Sequence, residues 1–270
     1  LENGFRLFGL NRLTSPHPVK SPPAPLEPPN LPSSIVYTDG SCTDNGNLDA
    51  RAGAGIWYGR DNPRNKAVRL PESMHQSNNT GELVAILIAL QDGEPNTPLD
   101  IHTDSQYVID SLYKYGPIHE QLGWIDTANK ELMAKLLATL RARPGKTYLT
   151  KVLGHSGDVG NDGADSLAAA GAAKDQCDEI SLEVPEALRI YGAQLQGLTQ
   201  SKLYRGIRER HESGLNPRRA ATVWLDITRW AAKERWGTFP TDAMIWKAIR
   251  NKTIDRKIRQ YIYRVMHETT

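Results

Sequence analysis

The sequence predicts an α/β domain followed by an all-α extension. Three observations carry that prediction. Residues 34–173 hold short β-rich runs that first follow one another closely and then alternate with longer runs of helical periodicity. Residues 181–270 hold helical periodicity without a convincing strand. The charge also changes sign along the chain. Residues 1–180 carry 16 Lys and Arg against 22 Asp and Glu, which is −6, and residues 181–270 carry 17 against 9, which is +8; together they return the overall +2. Two parts of opposite balance suggest two units with different tasks.

Each element has its own signal. Residues 1–33 hold eight of the seventeen prolines, so they read as an extended, poorly packed lead or linker. Three β-rich runs, 34–38, 52–59 and 66–70, are separated by Gly- and Asn-rich breaks and read as an antiparallel meander. Residues 80–91 place Leu83, Ile86, Leu87 and Leu90 on one helical face. Residues 99–103 read as a buried strand, 105–115 and 127–143 as helices, 148–153 as a strand and 162–173 as an Ala-rich helix. The later alternation favours parallel pairing with right-handed crossovers. In the extension, 185–198, 201–213, 217–236, 241–251 and 254–267 read as helices. Val223, Ile227 and Trp230 form an apolar stripe expected to face a helical core. The helical pattern runs to Thr270, which suggests a fragment of a longer protein.

Composition narrows the function classes. At 270 residues with 39% apolar and 24% charged residues, the chain is neither collagen-like, coiled-coil nor wholly disordered. No apolar run reaches 18 residues, so no membrane partner is expected. No secretory signal is visible in a chain that begins at Leu1. Cys42 and Cys177 are too few for a disulfide framework or a four-cysteine zinc site. An intracellular, reducing setting is the expectation, with nothing to separate nucleus from cytoplasm.

Four carboxylates stand out by position. Asp39 follows the first strand, Glu82 lies in the first turn of the first helix, Asp104 ends the fourth strand, and Asp165 lies early in the Ala-rich helix. Neighbouring first and fourth strands would set Asp39 beside Asp104, and the two helix starts would bring Glu82 and Asp165 to the same place. Such a cluster repels itself unless divalent cations neutralise it, and all-oxygen ligands select Mg²⁺ or Mn²⁺.

In order, the chain carries Thr38-Asp39-Gly40-Ser41, Asn78-Asn79 before Glu82-Leu83, Thr103-Asp104-Ser105-Gln106-Tyr107-Val108, Gly154-His155-Ser156-Gly157, and Asn161 four residues before Asp165. Over about residues 33–174 it resembles the type 1 ribonuclease H family. The resemblance implies a ribonuclease H-like five-stranded mixed sheet flanked by helices, and a catalytic domain over 34–174. It implies hydrolysis of the RNA strand of an RNA–DNA hybrid, leaving 5′-phosphate and 3′-hydroxyl ends. Asp39, Glu82, Asp104 and Asp165 match the family's metal-binding carboxylates, with Asp39 bridging two Mg²⁺ ions that Mn²⁺ can replace. Two ions about 3.5–4 Å apart clamp an in-line displacement.

His155 matches the family's mobile catalytic histidine, in a loop rich in glycine. Cys42, Asn45, Asn78, Asn79 and Gln106 resemble the family's minor-groove contacts, where short polar side chains reach the 2′-hydroxyl that marks RNA. Asn78 and Asn79 equally suit a helix N-terminus. Ser77 and Asn129 resemble a phosphate pocket for the DNA strand, and Trp124 resembles an aromatic beside the DNA backbone, with plain packing as its other reading. One departure is plain: residues 116–130 hold a single lysine where many relatives carry a basic protrusion, so this domain alone should hold hybrid weakly.

The extension offers a way to compensate. Residues 201–264 carry 16 Lys and Arg against 6 Asp and Glu, a balance of +10. Arg205, Arg208, Arg218, Arg219, Lys252, Arg256, Lys257 and Arg259 form a candidate phosphate-binding face; a solvated bundle surface is the plainer reading. The domain followed by this Trp- and Arg-rich segment loosely resembles open reading frames of fungal retroelement origin. Two other functions stay open: a catalytically idle nucleic-acid-binding or scaffold module, and a DNA-strand nuclease of integrase type. Protein partners are not indicated by any motif.

Overall fold

The computed structural model describes residues 6–9, 34–154, 157–212, 214–215 and 218–267. Its strands are β1 (Arg6–Leu7), β2 (Ser34–Thr43), β3 (Arg51–Trp57), β4 (Lys66–Arg69), β5 (Leu99–Thr103), β6 (Thr147–Lys151) and β7 (Ala193–Gln194). Its helices are α1 (Asn78–Asp92), α2 (Gln106–Asp110), α3 (Gly116–Gln121), α4 (Lys130–Ala142), α5 (Val159–Ala173), α6 (Gln200–Glu212), α7 (Arg219–Trp236), α8 (Asp242–Ile249) and α9 (Arg256–His267). The described residues fall into two compact units. One draws on Leu1–Thr43 and Arg51–Glu209, the other on Asp44–Ala50 and Arg210–Thr270.

The first unit is built on a five-stranded mixed sheet in the order β4-β3-β2-β5-β6. β2, β3 and β4 form the expected antiparallel meander, while β5 and β6 join in parallel. Parallel neighbours need a crossover. α1 lies in the connection that carries the chain from β4, at the sheet's edge, back to β5 beside β2, and α2–α4 make the crossover from β5 to β6. Successive strand residues face opposite sides of a sheet. A Cβ on Gly40 would overlap the backbone of α1, and a Cβ on Gly55, which lies opposite Asp39 in the ladder, would overlap that of α5. The two helices therefore cover opposite faces. α1 lies between the sheet and α4, which explains why nine of its residues are buried rather than a single stripe. The core includes Val36, Ile56, Leu83, Ile86, Leu87, Ile101, Leu136 and Leu137.

The structure differs from the sequence-based expectation at several places. The helix expected over 105–115 continues to Gln121, interrupted by a π-helical turn at Ser111–Tyr115. Pro117 accounts for the interruption: it has no N–H to donate, and its ring crowds the carbonyl one turn back.

The helix expected over 185–198 is absent. In its place stand single 3₁₀ turns at Glu186–Leu188 and Leu195–Gly197, with β7 between them. Pro185 fixes the entry, and Gly192 takes φ +70 in the bend before β7. β7 pairs antiparallel with β1, so part of the Pro-rich lead is a paired strand rather than a linker. Arg6 secures that pairing by donating to the carbonyls of Tyr191 and Gly192 at 2.7 and 2.6 Å. The rest of the lead, 10–33, lies outside the described residues. The first unit thus continues past the expected end at residue 174. Asp178 bonds the backbone of Arg69 in both directions, and Ile180 and Leu182 pack on the core.

In the second unit α7, α8 and α9 enclose a small core of Leu225, Ile245 and Met266. Thr241 caps α8 by accepting from the Met244 amide, and Gly237 closes α7 at φ +70. Buried Arg229 is neutralised by Asp226 and Asp242. The segment 44–50 belongs to this unit. The Leu48 amide donates to the Phe239 carbonyl at 2.8 Å, Asn47 bridges to Pro240, and Asp49 pairs with Lys233 at 2.6 Å. The stripe of Val223, Ile227 and Trp230 does not face the core. All three are exposed, and the buried face of α7 is Ala221, Leu225, Arg229 and Ala232. Among the described residues, no helix is long and apolar enough to cross a membrane.

Candidate metal and nucleic-acid site

Asp39, Glu82 and Asp104 come together. Each offers a carboxylate oxygen, and these oxygens lie within 4.8 Å of one another. Glycines make the approach possible. A Cβ on Gly40 would overlap the backbone of α1 at Asn78, Gly81 and Glu82, and a Cβ on Gly81 would overlap the Gly53 carbonyl oxygen of β3, so the start of α1 rides on β2 and β3 and delivers Glu82 next to Asp39. Ser77 fixes where that helix starts, accepting from the Thr80 amide at 3.2 Å. Asp104 ends β5, the parallel neighbour of β2. A Cβ on Gly154 would overlap Asp104 Oδ2, so the backbone leading to residue 155 lies against that carboxylate.

The electrostatics are those of an uncompensated acidic cluster. Asp39 is 9% exposed. Burial first, and then the charges of Asp104, Asp165 and Glu82, push its carboxyl up to about 7, against the pull of the Gly40 amide at 2.7 Å. Burial also raises Glu82. The Ser105 hydroxyl, donating to Glu82 Oε2 at 2.5 Å, opposes that shift, Asp104 adds to it, and Lys151 offsets part of it. Ser105 at once caps α2 by accepting from Val108. Three converging carboxylate oxygens, an all-oxygen donor set and a self-repelling charge fit a hard divalent cation.

Asp165 sits outside the three-oxygen cluster and is exposed, but its charge reaches Asp39. Its helix is held close by glycine again. α5 crosses Gly55 and Gly53 of β3 at backbone contact, and Gly55 is Asp39's cross-strand partner. Asn161, one turn before Asp165, is 4% exposed, and its Oδ1 has no hydrogen-bond partner among the described residues. His155 lies outside the described residues.

The expected substrate contacts divide. Ser77 and Asn129 are joined through Thr80, whose hydroxyl lies 2.9 Å from Ser77 Oγ and 3.2 Å from Asn129 Nδ2. Asn78, Asn79 and Gln106 are exposed, and Gln106 bonds Asp110 at 3.1 Å. Cys42 is half-buried in β2, where it packs against the core. Asn45 falls in the segment assigned to the second unit. Trp124 is a correction: it is 9% exposed within the core cluster, at φ +57, so it packs rather than presenting its ring to a nucleic-acid backbone. The basic residues also divide, Arg205 and Arg208 in the first unit and the others in the second, and Arg205 is paired with Asp126. Sequence reasoning missed Thr80, Ser105 and Lys151. Ser105 alone left a trace, as a serine between a strand and a helix.

Comparison with known proteins gives a consistent set of relatives. The family model described as RNase H matches residues 32–173. Ribonuclease H1 of Homo sapiens is 35% identical over 143 residues, covering 51% of this chain and 49% of its own. Ribonuclease H of Schizosaccharomyces pombe is 38% identical over 144 residues, covering 52% and 53%. Ribonuclease H of Ruthia magnifica is 35% identical over 142 residues, covering 50% and 91%. The chain spans about half the length of the human and fission-yeast relatives it matches.

Proposed function

This chain belongs to the type 1 ribonuclease H family, and from that premise we propose that it is an endonuclease hydrolysing the RNA strand of RNA–DNA hybrids. The products carry 5′-phosphate and 3′-hydroxyl ends. The observation that carries the reading is the convergence of Asp39, Glu82 and Asp104 within 4.8 Å, with burial raising Asp39 to about 7. None of the three carboxylates forms a salt bridge among the described residues, and carboxyls perturbed by burial and by one another in this way mark functional sites.

Asp39, Glu82, Asp104 and Asp165 would hold two Mg²⁺ ions. Bound there, the ions would activate water and offset the charge that builds on phosphorus and the leaving 3′ oxygen. The chain's own residues set the geometry. Ser105 holds the Glu82 carboxylate in one orientation, and the glycine contacts fix α1 and α5 against the sheet. His155 would carry a proton between the site and solvent, helping product release. Ser77, Thr80 and Asn129 would hold a phosphate of the DNA strand, and Asn78, Asn79 and Gln106 would reach 2′-hydroxyls. The domain proposed for this chemistry is residues 34–174.

The test is incubation with an end-labelled RNA–DNA hybrid and Mg²⁺ beside duplex DNA and duplex RNA. Cleavage restricted to the hybrid, lost in Asp39→Asn, with 3′-hydroxyl product ends, is the expected result. Hybrid binding without cleavage would instead leave a catalytically idle module.

A further inference from the structure

We propose that a cleft between α8 and α9 of the second unit binds single-stranded nucleic acid, stacking an unpaired base on its rings and holding the adjoining phosphates with its arginines. The cleft measures about 810 Å³, within the ~300–1,000 Å³ range of small-ligand sites. Its lining combines two chemistries. Trp246, Tyr263 and His267 form a continuous aromatic wall: Tyr263 and His267 stack with ring centroids 4.1 Å apart, and Trp246 lies 5.4 Å from His267 and 6.2 Å from Tyr263. Arg250, Arg256 and Arg259 border the same space.

The arginines are available to an anion. Among the described residues none of the three forms an ion pair; Arg250 and Arg259 donate only to the carbonyls of Trp246 and Arg250. Arg259 Nε is enclosed without any hydrogen-bond partner, a donor that native structures seldom leave unused. The surroundings add charge: residues 247–264 hold seven Lys and Arg against one Asp.

This pairing selects the occupant. A positive groove with aromatic rings is how proteins hold unpaired strands, because every base has a π-face and every linkage a phosphate. Base-paired duplex keeps its bases stacked on each other and cannot use the ring wall. An anionic lipid surface would use the charge but has no call for a concave ring-lined cleft. Tyr263 is 53% exposed, so the wall is open to a base arriving from solvent. The site stands apart from the hydrolysis proposed above, and neither needs the other.

The experiment measures fluorescence anisotropy of labelled 12-nucleotide single-stranded RNA and DNA against the full chain carrying Asp39→Asn, in EDTA, over a range of salt. Arg256→Gln with Arg259→Gln should weaken binding and flatten the log–log salt dependence by about 1.4, roughly 0.7 for each lost phosphate contact. Tyr263→Leu should weaken it about five- to a hundredfold, as loss of one stacked base does. Photocrosslinking with 4-thiouridine in the strand should mark peptides containing Trp246 or Tyr263 in the otherwise unaltered chain, which keeps the proposal open to refutation if a variant misfolds. Unchanged affinity and slope in folded variants would overturn it. So would crosslinks confined to other peptides, or binding to phosphatidylserine vesicles with none to the oligonucleotides. Absence of hybrid cleavage by the wild-type chain would count against the nuclease reading alone.

Discussion

The two units hide very different amounts of apolar surface. Among the described residues, the sheet-based unit gathers twenty-four into one buried cluster, while the helical unit gathers three. The first buries helices against both faces of a sheet; the second keeps Trp230, Trp236, Tyr261 and Tyr263 largely in solvent. Burial scales with the stability a fold can reach. The difference therefore separates a rigid scaffold, able to hold carboxylates together against their repulsion, from a marginal bundle whose surface is aromatic and basic. Rigid positioning suits chemistry, and an open adaptable surface suits binding.

That contrast can be broken or sharpened by measurement. The largest effect should come from Asp104→Asn. Removing one cluster carboxylate forfeits several kcal/mol of charge stabilisation, so hybrid cleavage in Mg²⁺ should fall about a thousandfold, while hydrogen exchange in α7–α9 stays as it was. Retained cleavage would end the idea that chemistry belongs to the first unit. Next in size, Leu225→Ala should cost about 2–5 kcal/mol. In a unit with three core residues that is enough to unfold it locally, so amides of α7–α9 should lose protection while those of β2 and β3 keep theirs. Equal loss in both units would mean the two melt as one body.

Gly55→Ala should cost about 1–3 kcal/mol, because the new methyl meets the α5 backbone rather than a yielding side chain. A lowered melting temperature with weaker Mg²⁺ binding is expected, since α5 carries Asp165; an unshifted Tm would show that α5 can step aside.

The smallest effect is a pH slope. In the chain without ions, burial raises Asp39 from 3.8 to about 7. Between those values the folded state binds the proton more tightly than the unfolded one, so stability falls as pH rises through that window and levels off above it. Glu82, raised by burial, acts in the same direction. Urea unfolding in EDTA should show this slope in the wild-type chain and a weaker one in Asp39→Asn, while Mg²⁺ affinity rises with pH across the same window. Parallel profiles for the two proteins would refute the assignment to Asp39.

Much of the first unit was readable because local and global signals agree there. Asp39 lies within β2, Asp104 directly follows its parallel neighbour β5, and Glu82 lies one turn into the capped helix α1, so strand pairing and the helix start bring the three together. Trp124 left two readings open in the sequence, an aromatic beside the DNA backbone or plain packing; Gly123 and Trp124 both take positive φ and the ring lies in the core cluster. The stripe on α7 misled for another reason. Val223, Ile227 and Trp230 share a face, but periodicity does not say which face meets a core. The inner face of Ala221, Leu225, Arg229 and Ala232 is less hydrophobic on paper, and it is buried because Arg229 finds two carboxylates there. The residues 185–198 failed as a helix because Gly192 takes φ +70 in the bend before β7 and that strand pairs with β1.

The segment 44–50 gives the helical unit a piece of chain synthesised about 160 residues before the rest of it, which starts at Arg210. On the ribosome that piece emerges early and must wait, because its partners at Lys233, Phe239 and Pro240 have not yet been translated. A peptide holding only residues 211–270 would lack those bonds, so the bundle's final assembly needs residues 44–50 as well as its own helices.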